Sequence, residues 1–300
     1  MKRKVIKQAN QAYTITLPIK WARENNLEKN QEVEITEEEN KLLISTSSKI
    51  VSKKIKYDFS EMDTRNISLH LSSAYSKGID EIEIISDKKI NKEITTAVNS
   101  LPGYTIISQK ENTYLIKDLN FGKYDNLEEI FKRAFQIILS FYESAINDIF
   151  GQNKETIEDL VLRDSEINKL CLFLQRSINK KAYPDAIEGR ILFSYSYELE
   201  QIGDEILRFW KTGMEMNPEK NTAIKKLAQK SYESLAKAFD FYYQLPTKEN
   251  SQVYDLRQEI REDFLKITTK NIATQKLLRH AIKISEQAND LTQLSIMKKI

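Results

Sequence analysis

Three hydrophobic periods succeed one another along the 300-residue chain. In residues 1–47 apolar and polar positions alternate. Tyr13-Thr14-Ile15-Thr16-Leu17 is rich in β-branched residues and steps from face to face, which predicts a half-buried strand. Pro18 follows and suits the first position of a short helix over Ile19 to Asn25. Glu32 to Thr36 and Lys41 to Ser45 read as two further strands, joined by an acidic turn from Glu37 to Asn40. So small a segment has little core of its own, so Ile15, Leu17, Val33, Ile35 and Leu43 are expected to be covered by dimerisation.

Residues 48–120 interleave the two periods. Strands are predicted at Lys54 to Phe59 and Ile82 to Ile85. Helices are predicted at Asp63 to Lys77, stopped by Gly78, and at Ile90 to Ser100. Tyr104 to Ser108 and Thr113 to Lys117 complete a βαβαββ unit as a hairpin. It carries no Gly-rich phosphate loop and no catalytic cluster, so a structural or dimerising role is expected. From Leu127 onward the period is helical. Breaks at Gly151-Gln152-Asn153, Ala182-Tyr183-Pro184, Gly213 with Asn217-Pro218-Glu219, Leu245-Pro246-Thr247, and Thr268 to Asn271 cut this stretch into six helices. Gly213 is expected to end the third helix and Asn217-Pro218 to open the fourth. The expected fold class is α+β and multidomain: a β-hairpin domain (1–47), a small α/β unit (48–120), and an all-α pair of three-helix bundles (121–215 and 216–300).

Composition narrows the chemistry. One cysteine, Cys171, excludes an intramolecular disulfide and a Cys-rich zinc site, and two histidines, His70 and His280, make no cluster. No apolar run spans a bilayer, and the first residues lack the apolar core of a signal peptide. A cytoplasmic protein without membrane insertion is therefore expected. There is no nucleophile elbow, P-loop or acid/base pair, so an enzyme is not expected. The net charge of +2 hides an asymmetry: residues 1–29 hold seven basic side chains against two acidic ones. Lys4, Lys7, Lys20 and Arg23 flank the first strands and the short helix, where they could contact DNA phosphates. Trp21 reads as core.

The helical half repeats a carboxylate motif. Glu200-Gln201-Ile202-Gly203-Asp204 and Glu286-Gln287-Ala288-Asn289-Asp290 both read Glu-Gln-x-x-Asp, at matching places in the two helix sets. Residues four apart share a helix face, so each motif sets two carboxylates side by side. Asp164, Glu259 and Asp263 lie on the preceding helices, with Asn168 where a second acid would complete the first set. Taken singly, such a pair is usually a solvated face bridged to Lys or Arg. The repetition makes a divalent-metal site the competing expectation, with Fe, Mn, Mg or Zn as candidates.

These residues carry two resemblances. Tyr13 to Trp21, ending its strand in Leu17-Pro18, followed by Asn26-Leu27-Glu28-Lys29-Asn30-Gln31-Glu32-Val33-Glu34-Ile35, resembles the AbrB/MazE/SpoVT swapped-hairpin family. That resemblance implies a DNA-binding homodimer of interleaved hairpins, with Lys4, Lys7, Lys20 and Arg23 near the family's basic positions. Asn30 stands where the family has a turn glycine, and Asn tolerates the left-handed backbone. Asn10-Gln11-Ala12 replaces a Gly-rich approach to the second strand. The helical half resembles PhoU, the phosphate-signalling family of paired three-helix bundles. Glu200 and Asp204, and Glu286 and Asp290, match its metal motifs, while Asp164, Glu259 and Asp263 fall near its other motif. Gln201 and Gln287 stand where a basic residue is usual. The domain order is similar to archaeal regulators of phosphate uptake. The resemblance implies a DNA-binding transcriptional regulator with a helical sensor. The rival is an adaptor that dimerises without binding DNA and docks on a phosphate transporter ATPase or a sensor kinase.

Overall fold

Pairing of short strands organises the first residues of the chain, and helix packing organises the last. In a computed structural model, residues 2–8, 12–38, 41–46, 52–119, 126–151, 155–180, 186–243 and 251–300 are described. They fall into two compact units, Met1–Ser52 and Lys53–Ile300.

In the first unit, β1 (Ile6–Gln8) pairs antiparallel with β2 (Ala12–Thr14), and Thr14 Oγ1 donates to the Ile6 carbonyl at 3.3 Å. The expected strand from Tyr13 to Leu17 is shorter than its alternation suggests. Pairing ends at Thr14, and residues 15–18 run on without a ladder partner among the described residues. Pro18 is extended and precedes α1 (Ile19–Glu24). Asn26 and Asn30 take the left-handed backbone, with φ of 49° and 68°. Asn30 thus holds the conformation that a turn glycine would. β3 (Glu34–Glu38) and β4 (Lys41–Ser45) form a second antiparallel hairpin. Asn10, Gln11 and Asn40 lie outside the described residues.

The second unit begins with a four-stranded sheet ordered β5-β6-β8-β7, from β5 (Lys54–Asp58), β6 (Glu81–Ile85), β7 (Tyr104–Lys110) and β8 (Thr113–Asp118). The β5–β6 pair is parallel, so the chain must cross over, and α2 (Ile67–Ser76) makes that crossing. Gly78, at φ +82°, ends the turn after α2. Ile82 and Ile84 of β6 and Tyr114 and Ile116 of β8 alternate inward. They pack on Leu71 and Tyr75 of α2 and on Ile94 and Val98 of α3 (Asn91–Asn99). This is the βαβαββ order read from the sequence.

The helical region runs α4 (Leu127–Phe150), α5 (Ile157–Lys180), α6 (Ala186–Glu215), α7 (Thr222–Tyr243), α8 (Ser251–Lys266) and α9 (Ile272–Lys299). Helices α4, α5 and α6 pack mutually, α9 packs on both α7 and α8, and the two sets meet along α6–α9 and α4–α7. A shared apolar core runs through them, with Phe135, Tyr142, Leu199, Phe209, Leu235 and Leu277 buried. Two expected boundaries move. Gly213 lies inside α6 rather than at its end, because it is a packing glycine. A Cβ there would come within 2.3 Å of Ile149 Cδ1. Asn217 does not cap α7. It holds φ of 52° just after α6, and α7 is capped by Asn221, whose Oδ1 accepts from Ile224 N at 3.0 Å. Asn271 caps α9 within the expected junction, accepting from Thr274 N at 3.0 Å. Gln152-Asn153, Ala182-Tyr183-Pro184 and Leu245-Pro246-Thr247 lie outside the described residues.

The sheet and the helices form one unit because α2 packs on α5. Arg176 of α5 is fully buried there. It donates to Asp118 Oδ2 at 2.5 Å, to Asp80 Oδ1 at 3.2 Å and to the Tyr75 carbonyl at 2.8 Å. Its guanidinium lies 4.8 Å from the Tyr75 ring centroid and 5.1 Å from that of Tyr104. Lys180 adds a second cation on Asp80. No helix among the described residues is long and apolar enough to cross a membrane.

Candidate nucleic-acid interface and carboxylate helices

The first unit is turned inside out for a folded domain. None of its described side chains is buried. Tyr13 is 70% exposed, Ile19 65% and Leu42 63%, and Val5, Ile6, Ile15 and Ile35 are exposed as well. The basic residues stand among them. Lys4 precedes β1, and Lys7 pairs across the hairpin with Tyr13, so these two side chains stand side by side. Lys20 and Arg23 share a face of α1, three residues apart. Lys20 lies 3.9 Å from Glu24 in an exposed pair too weak to hold it from a stronger anion. All four expected contacts are therefore exposed. Glu28 and Gln31 close the turn before β3, with the Glu28 amide donating to Gln31 Oε1 at 2.9 Å.

The expected metal ligands are placed differently. Glu259 and Asp263 of α8 share Lys230 of α7, whose Nζ lies 2.8 Å and 2.7 Å from them. Glu286 of α9 accepts from Arg261 at 2.7 Å. Asp290, at the other end of that motif, lies near Glu198 of α6, whose pKa is raised first by burial and then by Asp290. In the first set, Asp204 accepts from Arg208 at 2.6 Å, and Glu200 accepts from Gln201 at 2.6 Å. Among the described residues no group of three or more His, Cys, Asp or Glu side chains is arranged to hold a metal ion. Basic side chains stand against Glu259, Asp263, Glu286 and Asp204, and no step is assigned to a metal.

Asp164 is the exception. Its Oδ2 accepts from Asn168 Nδ2 at 3.3 Å, while its Oδ1 is buried without a donor. Burial, then the Asp204 and Glu200 carboxylates, push its pKa up to about 6. Lys211 and Arg208 act in the opposite sense and do not offset them.

A neighbouring carboxylate escaped the sequence reading. Glu205 of α6 is 2% exposed and collects His280 Nδ1 at 2.6 Å, Lys283 Nζ at 3.0 Å and Arg208 at 3.0 Å. Burial alone would raise its pKa. The hydrogen bonds from His280, Lys283 and Arg208 outweigh that and hold it at about 2. The signal was present: Glu205 follows Ile202 by three residues and precedes Phe209 by four, which puts it on the apolar stripe. His280, which the sequence assigns to no cluster, is its partner.

Taken together, the first unit is a small hairpin-and-helix domain with a basic, apolar-studded surface, set ahead of a sheet and an all-helical region. Residues 6–54 match the family described as antidote-toxin recognition MazE, bacterial antitoxin. The N-terminal segment is thus a MazE/AbrB-type, antitoxin-like domain, a class that is not an enzyme family. No curated protein and no solved structure matches the chain.

Proposed function

We propose that this protein is a homodimeric, DNA-binding transcriptional regulator whose helical region senses the state of phosphate supply. One observation carries the first half: a MazE/AbrB-type segment with no buried side chain among its described residues, whose Val5, Ile6, Tyr13, Ile15, Ile19, Ile35 and Leu42 are exposed, with Lys4, Lys7, Lys20 and Arg23 exposed among them. Burying Val5, Ile6, Ile15, Ile35 and Leu42 against a second copy satisfies the hydrophobic effect. The same pairing supplies the partner that residues 15–18 lack. Two copies together double the basic surface, which suits a duplex whose affinity is dominated by phosphate contacts.

The second half rests on the PhoU resemblance, supported by the pairing of two three-helix sets and by the repeated Glu-Gln-x-x-Asp motif. The sensed signal reaches the helices without a metal in this reading, because Lys230, Arg261 and Arg208 already neutralise most of the carboxylates.

Gel retardation of duplex DNA from upstream of the protein's own gene and of phosphate-transport genes tests the proposal. Retention by a dimer at physiological salt is expected, with loss in the Lys4→Ala/Lys7→Ala/Lys20→Ala/Arg23→Ala variant. A stable dimer that retains none of these duplexes overturns it in favour of the adaptor reading.

A further inference from the structure

A cavity of about 630 Å³ opens where α2 meets α5 and α6, and its lining residues include none from the second helix set. Its size is that of a small-molecule site. Leu69, Val161, Phe193 and Tyr197 form its apolar walls, and Leu69, Val161 and Tyr197 remain exposed at the rim. Asp164, Asn168 and Glu200 line it together. Among the described residues lining it are these two carboxylates and no lysine, arginine or histidine.

The hydrogen-bond inventory of this cavity is lopsided. Asp164 Oδ1 and Asn168 Oδ1 are both buried acceptors without a donor. A buried acceptor left unpaired costs roughly 1–3 kcal/mol, so native folds rarely retain two side by side without use. The hydroxyls nearby do not supply the missing donors: Ser72 donates to the Leu69 carbonyl at 3.1 Å and Ser76 to Gln175 Oε1 at 2.9 Å. The cations that act on Asp164, Lys211 and Arg208, stand on α6, and Arg208 is committed to Asp204 and Glu205. What the cavity lacks is positive charge with several N–H donors, attached to an apolar body that the walls can cover.

We infer that this cavity binds a small organic cation, a primary amine or amidine on an apolar body, with its charged head between Asp164 and Glu200 and its body against Phe193 and Tyr197. The head places N–H donors at the cavity wall beside Asp164 and Asn168, whose Oδ1 atoms are buried acceptors without a donor. It also relieves the repulsion among Asp164, Glu200 and Asp204. Because α2 belongs to the sheet domain and α5 to the helices, the ligand touches both, a place where occupancy could bias their packing. The site stands independently of the DNA-binding reading.

The test is calorimetric titration of the full chain with 4-phenylbutylamine, using 4-phenylbutyrate and Mn²⁺ as controls. Saturable 1:1 binding of the amine is expected, and none of the butyrate. Asp164→Asn should weaken binding about thirtyfold or more, as truncation of one partner of a buried charge pair does. Glu200→Gln should weaken it in the same sense. Neither substitution threatens the fold, since each removes one of several mutually repelling carboxylates, and the thermal melt should stay in place or rise. Affinity should fall as pH drops from about 7.5 to about 5, because protonation removes the charge on Asp164. No saturable binding of the amine, equal binding of the butyrate, an unchanged affinity in both variants, or binding of Mn²⁺ alone would each overturn the inference.

Discussion

The two units of this chain solve the burial problem in opposite ways. Lys53–Ile300 builds two buried apolar cores and even buries a guanidinium, Arg176, among two carboxylates and two aromatic rings. Met1–Ser52 buries none of its described side chains and shows large apolar residues beside lysines. The difference teaches where each unit's stability comes from. The larger unit is stabilised from within, and its charged groups act as clamps. On the proposed reading the smaller unit draws on a second copy, so its exposed residues would report on binding rather than on folding.

Breaking the larger unit is the most severe test of that contrast. Arg176→Ala leaves Asp80 and Asp118 without their buried cation and should cost about 3–5 kcal/mol, read from the urea midpoint by circular dichroism. A cost under about 1 kcal/mol would mean that Arg176 is not the clamp between sheet and helices.

Glu205 comes next. Glu205→Gln removes charge-assisted bonds from His280, Lys283 and Arg208 and should cost about 2 kcal/mol at neutral pH. Its sign with pH is fixed. The folded pKa, about 2, lies below the ordinary 4.5, so the stabilisation is present above pH 4.5 and lost as pH falls toward 2. Asp164 acts in reverse. Its folded pKa, about 6, lies above the ordinary 3.8, so it withdraws stability as pH rises through that interval. Acid titration of wild type and Glu205→Gln should therefore converge near pH 2. Parallel curves would contradict the assignment.

Gly213→Ala should cost about 1 kcal/mol net, since the overlap with Ile149 outweighs the gain in helix propensity. A stabilised variant would show instead that Ile149 yields freely. The smallest effect on folding belongs to the first unit. Leu42→Ser should leave the main unfolding transition within about 0.5 kcal/mol while shifting the dimer toward monomer in sedimentation equilibrium. Loss of the main transition would mean that the two units fold together.

Local signals were readable from the residues themselves. The strand period placed β4 and β6 to within a residue, Asn30 held the left-handed turn, and Asn271 capped α9. What escaped depended on contacts distant in sequence. Gly213 reads as a helix breaker, and only Ile149, on another helix, makes it a packing residue. Arg176 reads as a surface residue of an amphipathic helix until Asp80 and Asp118 arrive from the sheet. The Glu-Gln-x-x-Asp repeat announced its carboxylates but not the partner of Glu286, because Arg261 stands on another helix. The cavity carboxylate Asp164 was legible as a candidate, but not its unpaired oxygen, which depends on how α2 and α6 close around it.

The central claim is that the smaller unit grips DNA through its basic residues. Fluorescence anisotropy of the full chain on duplex DNA from upstream of its own gene, over a series of salt concentrations, tests it directly. The log–log slope should be steep, and each of Lys4, Lys7, Lys20 and Arg23 replaced by Ala should reduce it by about 0.9. Affinity and slope unchanged in the quadruple variant would contradict the account.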